Sequence, residues 1–221
     1  TTNSAVDFVG SLDATTAGVQ GLTVNSGTGP ITFGGPAGGT AALADLTATG
    51  GTIILGGDLT TTGAMTLDST GVGSILAIAT TLSGSSVSLT SANGITETGA
   101  VKTALLTGSA ATSAALTGAN AVTTLGNFTA TTGFSLTNTP DLSVTGTVNG
   151  GSNATITDTG VLTIAGGGKV TGTTANLSGS SISIVGAVNG PSSVTLTANK
   201  AGISETGSVT TGLLTGSAAT S

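Results

Sequence analysis

The feature that most constrains this chain is a triplet that recurs almost from end to end, two apolar side chains flanking one hydroxyl. Leu22-Thr23-Val24, Ile31-Thr32-Phe33, Met65-Thr66-Leu67, Val87-Ser88-Leu89, Phe134-Ser135-Leu136, Leu142-Ser143-Val144, Leu162-Thr163-Ile164, Ile182-Ser183-Ile184 and Val194-Thr195-Leu196 all carry it. Period-two alternation puts the apolar pair on one face and the hydroxyl on the other, which is the pattern of a strand with one buried face. β-branched Thr suits the outward side. Gly, Asn, Asp and Pro separate the triplets, as in GGPAGG at 34–39 and GGG at 166–168, where the backbone can turn. The expected core therefore includes Val87, Leu89, Phe134, Leu136, Leu142, Val144, Ile156, Ile182, Ile184, Val194 and Leu196. Only Thr103 to Leu116 competes as a helix, and Gly108 with the surrounding Thr and Ser argues against it.

Self-comparison reveals an internal repeat, residues 82–113 matching 177–221. Ile95 to Ser113 returns as Ile203 to Ser221 with 15 of 19 positions identical at an offset of 108. Leu82 to Leu89 returns as Leu177 to Ile184 at an offset of 95. Offsets that differ while strand patterns persist mean insertions confined to turns, as in stacked repeats. The strand clusters recur about every 20 residues, so three short strands and three turns make one rung, a unit of 108 holds about five rungs and the chain about ten. At about 4.8 Å per rung the rod would be about 50 Å long. A flat sandwich would need large aromatics to fill two facing sheets, and Phe8, Phe33, Phe128 and Phe134 are the only aromatic residues. The expectation is an all-β parallel β-helix, with 1–221 forming one continuous solenoid that is a segment of a longer repetitive protein.

Composition narrows the chemistry. The chain has no His, Cys, Trp or Tyr, three Lys, no Arg and nine acids, for a net charge of −6. Thiolate nucleophiles, histidine bases, disulfides and Cys or His zinc sites are excluded, and three cations are too few for nucleic-acid binding. No apolar run is long enough for a membrane helix, and the start TTNSAVDF has no signal-peptide pattern.

Neither a catalytic residue nor a metal or cofactor site is expected. On a rung of about 20 residues, Asp45 and Asp68, and likewise Asp141 and Asp158, would be near vertical neighbours; the simpler reading is turn acids bonded to their own backbone. Tandem calcium-roll nonapeptides, an EF-hand loop and a phosphate loop are all missing. The sequons at Asn127, Asn153 and Asn176 are a by-product of Thr and Ser content, with Asn153 expected in a turn. Outward Thr and Ser rows either keep the coil soluble without charge or bind a glycan or another ordered surface.

The stretch LTGSAATSAALTGANAVTTLGNFTATTGFSLTNTPDLSVTGTV, Leu106 to Val148, together with GITETGAVKTALLTG, resembles the repetitive stalks of filamentous haemagglutinin-like and autotransporter-adhesin bacterial surface proteins. This resemblance implies a right-handed β-helix and export to the bacterial outer surface. It implies a structural role as spacer or filament in adhesion, aggregation or biofilm matrix. Self-association end to end or side by side is expected separately, from the few charges that guard the strand edges. A glycan- or receptor-binding module is the alternative, and a polysaccharide-acting enzyme the remote one.

Overall fold

The computed structural model describes residues 3–219; the last two positions of the sequence repeat fall outside them. The chain winds into an all-β, right-handed parallel β-solenoid of about ten turns. Every strand pairing among the described residues is parallel and joins residues 18 to 25 positions apart.

From Gly133 onward each turn has three separate strands. Gly133–Asn138, Leu142–Val144 and Thr147–Asn149 form one turn, and Asn153–Asp158, Val161–Ile164 and Lys169–Thr171 lie directly on them. Earlier turns run their strands around the corners, as in Thr81–Ser91, Ala100–Ala110 and Ser113–Ala130. Thr103 to Leu116 is thus strand on either side of a bend, because most of its residues gain ladder partners above and below.

Inside, apolar side chains stack in columns. One runs Leu46, Met65, Val87, Leu106, Leu125, Val144, Ile164, Ile184. All eleven sequence-derived core residues are buried, and one apolar cluster extends from Ala14 to Leu196. Each buried Leu, Ile or Val contributes about 1.5–3 kcal/mol.

The coil corrects the rung arithmetic. Five turns carry Ile95 through Ala114, Phe134, Ala154 and Ala175 to Val194, so the offset of 108 is not a whole number of turns. Ile95–Glu97 stacks between Leu76–Ile78 and Ala114–Leu116, whereas its copy Ile203–Glu205 stacks on Ile182–Ile184, on another face. Similarly, Val87 stands in the column of Ile184, although sequence aligns it with Ile182. Corner lengths vary, and column stacking rather than sequence identity sets the phase.

A second column, Leu67, Leu89, Gly108, Phe128, Val148, contains a glycine beside an aromatic ring. A Cβ on Gly108 would lie 2.7 Å from the Phe128 ring and 2.3 Å from the Leu89 carbonyl. The absent side chain makes room for Phe128, whose ring meets Phe134 at 4.9 Å. Gly108→Ala should therefore lower stability by about 1–3 kcal/mol through overpacking. Gly133→Ala, where a Cβ meets nothing within 4 Å, should leave the urea midpoint nearly unchanged.

Candidate functional site

Corners are where polar side chains act. Asp45 Oδ1 accepts the Ala64 N–H at 2.7 Å, Asp58 Oδ1 that of Thr81 at 2.7 Å and Asp141 Oδ1 that of Val161 at 2.8 Å. Asn127 Oδ1 takes the Thr147 N–H at 2.8 Å. Asp13 Oδ1 receives both Thr40 and Ala41 N–H groups, which hold its carboxyl below the usual range. These acids clamp the backbone of the next turn. That corrects the expectation of bonds to their own backbone, because a corner's nearest unpaired donor lies one turn away.

The proposed acid pairs do not form vertical neighbours. Asp68 pairs with Thr49 and Thr90, while Asp45 lies against Ala64. Asp158 stacks on Asn138, while Asp141 lies against Val161. Corner lengths again shift the phase. Among the described residues, no three acids come together as a metal-binding group.

What the structure does assemble is a buried polar spine of Glu97, Asn120, Asn138 and Asp158, each 0–1% exposed. Asn120 Nδ2 donates to Glu97 Oε2 at 2.9 Å and to the Thr137 carbonyl at 3.1 Å, and its Oδ1 accepts the Val101 N–H at 2.7 Å. Asn138 Oδ1 accepts the Val122 N–H at 2.8 Å, and its Nδ2 lies near the carbonyls of Pro140 (2.8 Å) and Val122 (3.1 Å) and Asp158 Oδ1 (3.2 Å). Among the described residues, Glu97 Oε1 and Asp158 Oδ2 have no hydrogen-bond partner. Burial pushes the Asp158 carboxyl above its usual value; the nearby Gly160 N–H, Asn138 amide and Leu142 N–H oppose the rise, and the Asp141 charge adds to it. Period-two alternation does continue into this spine, in Ile95-Thr96-Glu97, Leu136-Thr137-Asn138 and Ile156-Thr157-Asp158. That was the available signal, missed because polar residues at inward positions were read as turn chemistry.

Two surface features complete the inventory. A shallow hollow of about 240 Å³ is lined by Thr123, Asp141, Leu142, Ser143, Val161 and Thr163. On another face, Ser135, Thr155, Asn176, Thr195 and Thr215 form one vertical row beside Thr137, Thr157, Ser178, Thr197 and Ser217. Part of this surface bonds to itself, as in Thr215 Oγ1 to Thr195 Oγ1 at 3.0 Å and Asn176 Nδ2 to Asn153 Oδ1 at 3.1 Å. Asn153 begins a strand rather than occupying a turn, since its backbone pairs with Thr174. Its Nδ2 donates to the hydroxyl of its own sequon, Thr155, at 2.9 Å.

No protein-family model, no curated protein and no solved structure matches the chain. Among the described residues no helix is long and apolar enough to cross a membrane.

Asn138→Ala should cost about 1–3 kcal/mol for each buried backbone group it orphans, chiefly the Val122 N–H, measured by denaturant unfolding. A second expectation concerns pH. Native Asp158 holds its proton more tightly than the unfolded chain, so its stabilising contribution is complete below the ordinary value of 3.8 and is lost as pH rises through the raised native value. The stability difference between wild type and Asp158→Asn should change across that rise, with the variant gaining relative to wild type at neutral pH. A pH-independent difference would place Asp158 in a different environment.

Proposed function

We propose that this chain is a rigid structural segment of an extracellular bacterial adhesin or filament, serving as a spacer and as a contact between rods. The observation that carries this reading is the apolar cluster running without a break from Ala14 to Leu196 through successive parallel turns. A coil whose turns are all joined by ladders resists bending and keeps what lies at its two ends apart. The resemblance of Leu106 to Val148 to haemagglutinin-like stalks supplies the extracellular setting. The reading assigns the chain no catalytic role.

Placed between an outer-membrane anchor and an epitope tag on cells, the chain is expected to raise the tag by about 50 Å, the height of about ten turns, without itself adhering to glycan arrays. An unchanged tag height overturns the spacer. Specific retention of one glycan, lost on Asp141→Ala or Ser143→Ala, would favour a binding module using the hollow beside Asp141.

Contact between rods belongs to the same proposal. It rests on the outward surface, where the row Ser135, Thr155, Asn176, Thr195 and Thr215 carries hydroxyls and amides without a charge. Such a row sets little electrostatic repulsion against side-by-side docking of another copy. Sedimentation over a concentration series should show association that Thr155→Lys weakens; a strictly monomeric wild type removes rod contact and leaves the spacer in place.

A further inference from the structure

The chain contains three asparagine-glycine pairs, Asn93-Gly94, Asn149-Gly150 and Asn189-Gly190. Each carries the same latent chemistry. The glycine amide nitrogen can attack the asparagine Cγ, since glycine has no Cβ to block the approach. A bond forms between that nitrogen and Cγ, the Cγ–Nδ2 bond breaks, and ammonia leaves with the glycine proton. Water then opens the succinimide ring at one carbonyl or the other, giving isoaspartate or aspartate. We infer that Asn93 is a spontaneous deamidation site of the folded protein, while the solenoid holds Asn149 and Asn189 inert.

The contrast lies in the attacking nitrogen. Gly150 donates its N–H to the Thr171 carbonyl at 2.8 Å. Gly190 lies inside the strand Ala187–Gly190, paired with Thr211. For either to react, the ladder must open first. Gly94 lies outside the strands, between Thr81–Ser91 and Ile95–Glu97, and among the described residues its N–H has no hydrogen-bond acceptor. Asn93, Asn149 and Asn189 are all partly exposed, so the contrast rests on the amide nitrogen alone. Thr112 Oγ1 donates to Asn93 Oδ1 at 3.3 Å and draws electron density from Cγ.

The site joins three successive turns. Asn93 Nδ2 donates to the Gly73 carbonyl at 3.0 Å, and the Asn93 carbonyl accepts the Thr112 N–H at 2.8 Å. Deamidation replaces the Nδ2 donor with a carboxylate oxygen facing the Gly73 carbonyl, and isoaspartate also lengthens the backbone beside Thr112. The reaction therefore loosens one corner of the coil and adds a negative charge to it.

The chain's three lysines, Lys102, Lys169 and Lys200, give four tryptic peptides and place each pair in a different one. The full chain is incubated at mildly alkaline pH, folded and in guanidinium, then digested and read by mass spectrometry with enzymatic isoaspartate detection. In guanidinium the three pairs should convert at similar rates. In the folded chain Asn93 should outpace the other two by about tenfold or more, the ratio set by opening a ladder bond. Fragmentation should place the change at Asn93, and Asn93→Gln should abolish it. Equal folded rates, or the same ranking in guanidinium, would overturn the inference.

Discussion

Each turn of this molecule leaves a row of backbone donors and acceptors that only the next turn satisfies. This vertical ladder is the interaction on which everything else depends. An unpaired buried backbone group costs about as much as a lost hydrogen bond, so turns add one upon another and no local hairpin competes. The apolar columns follow from the same geometry. With neighbouring turns about 4.8 Å apart, inward side chains such as Val87, Leu106 and Leu125 rest directly on one another. The core is narrow, and a missing side chain at Gly108 must be filled from the adjacent turn, here by Phe128.

Corners are the weak points of such a coil, because the ladder breaks where the backbone bends. Aspartates 45, 58 and 141 repair it from outside by accepting an N–H of the following turn. Asn120 and Asn138 repair it from inside, where each side-chain amide serves as both donor and acceptor for neighbouring turns. Glu97 and Asp158 accept from these amides and bring carboxyls into the interior, each with one oxygen lacking a hydrogen bond among the described residues. An apolar corner would avoid that desolvation cost but would leave the Val101 and Val122 N–H groups without acceptors.

The outer surface follows a different rule. Most apolar residues gather inside, with Val9, Val72 and Leu105 among the exceptions, and the outward positions carry mainly hydroxyls and amides with scattered charges. The exposed cations are few and scattered, at Lys102, Lys169 and Lys200. Such a surface is hydrated by hydroxyls and amides more than by charge.

The division between sequence and structure follows the range of the forces. Period two is a local property of an extended backbone, so Phe134, Leu136, Ile156 and Val194 were readable as inward from their own triplets, and the absence of Cys and His bounded the chemistry directly. The same period reached Asn138 and Asp158, but their residue types pointed to turns, and only their stacked neighbours explain why polar groups stand inside. The phase of the coil was decided by tertiary structure alone. Glu97 and Glu205 occupy matching positions of the sequence repeat, yet Glu97 stacks between Ile78 and Leu116 on one face while Glu205 stacks on Ile184 on another. Which residues meet across turns depends on how many residues each corner consumes. That number is set by stacking between distant segments, which no local pattern encodes.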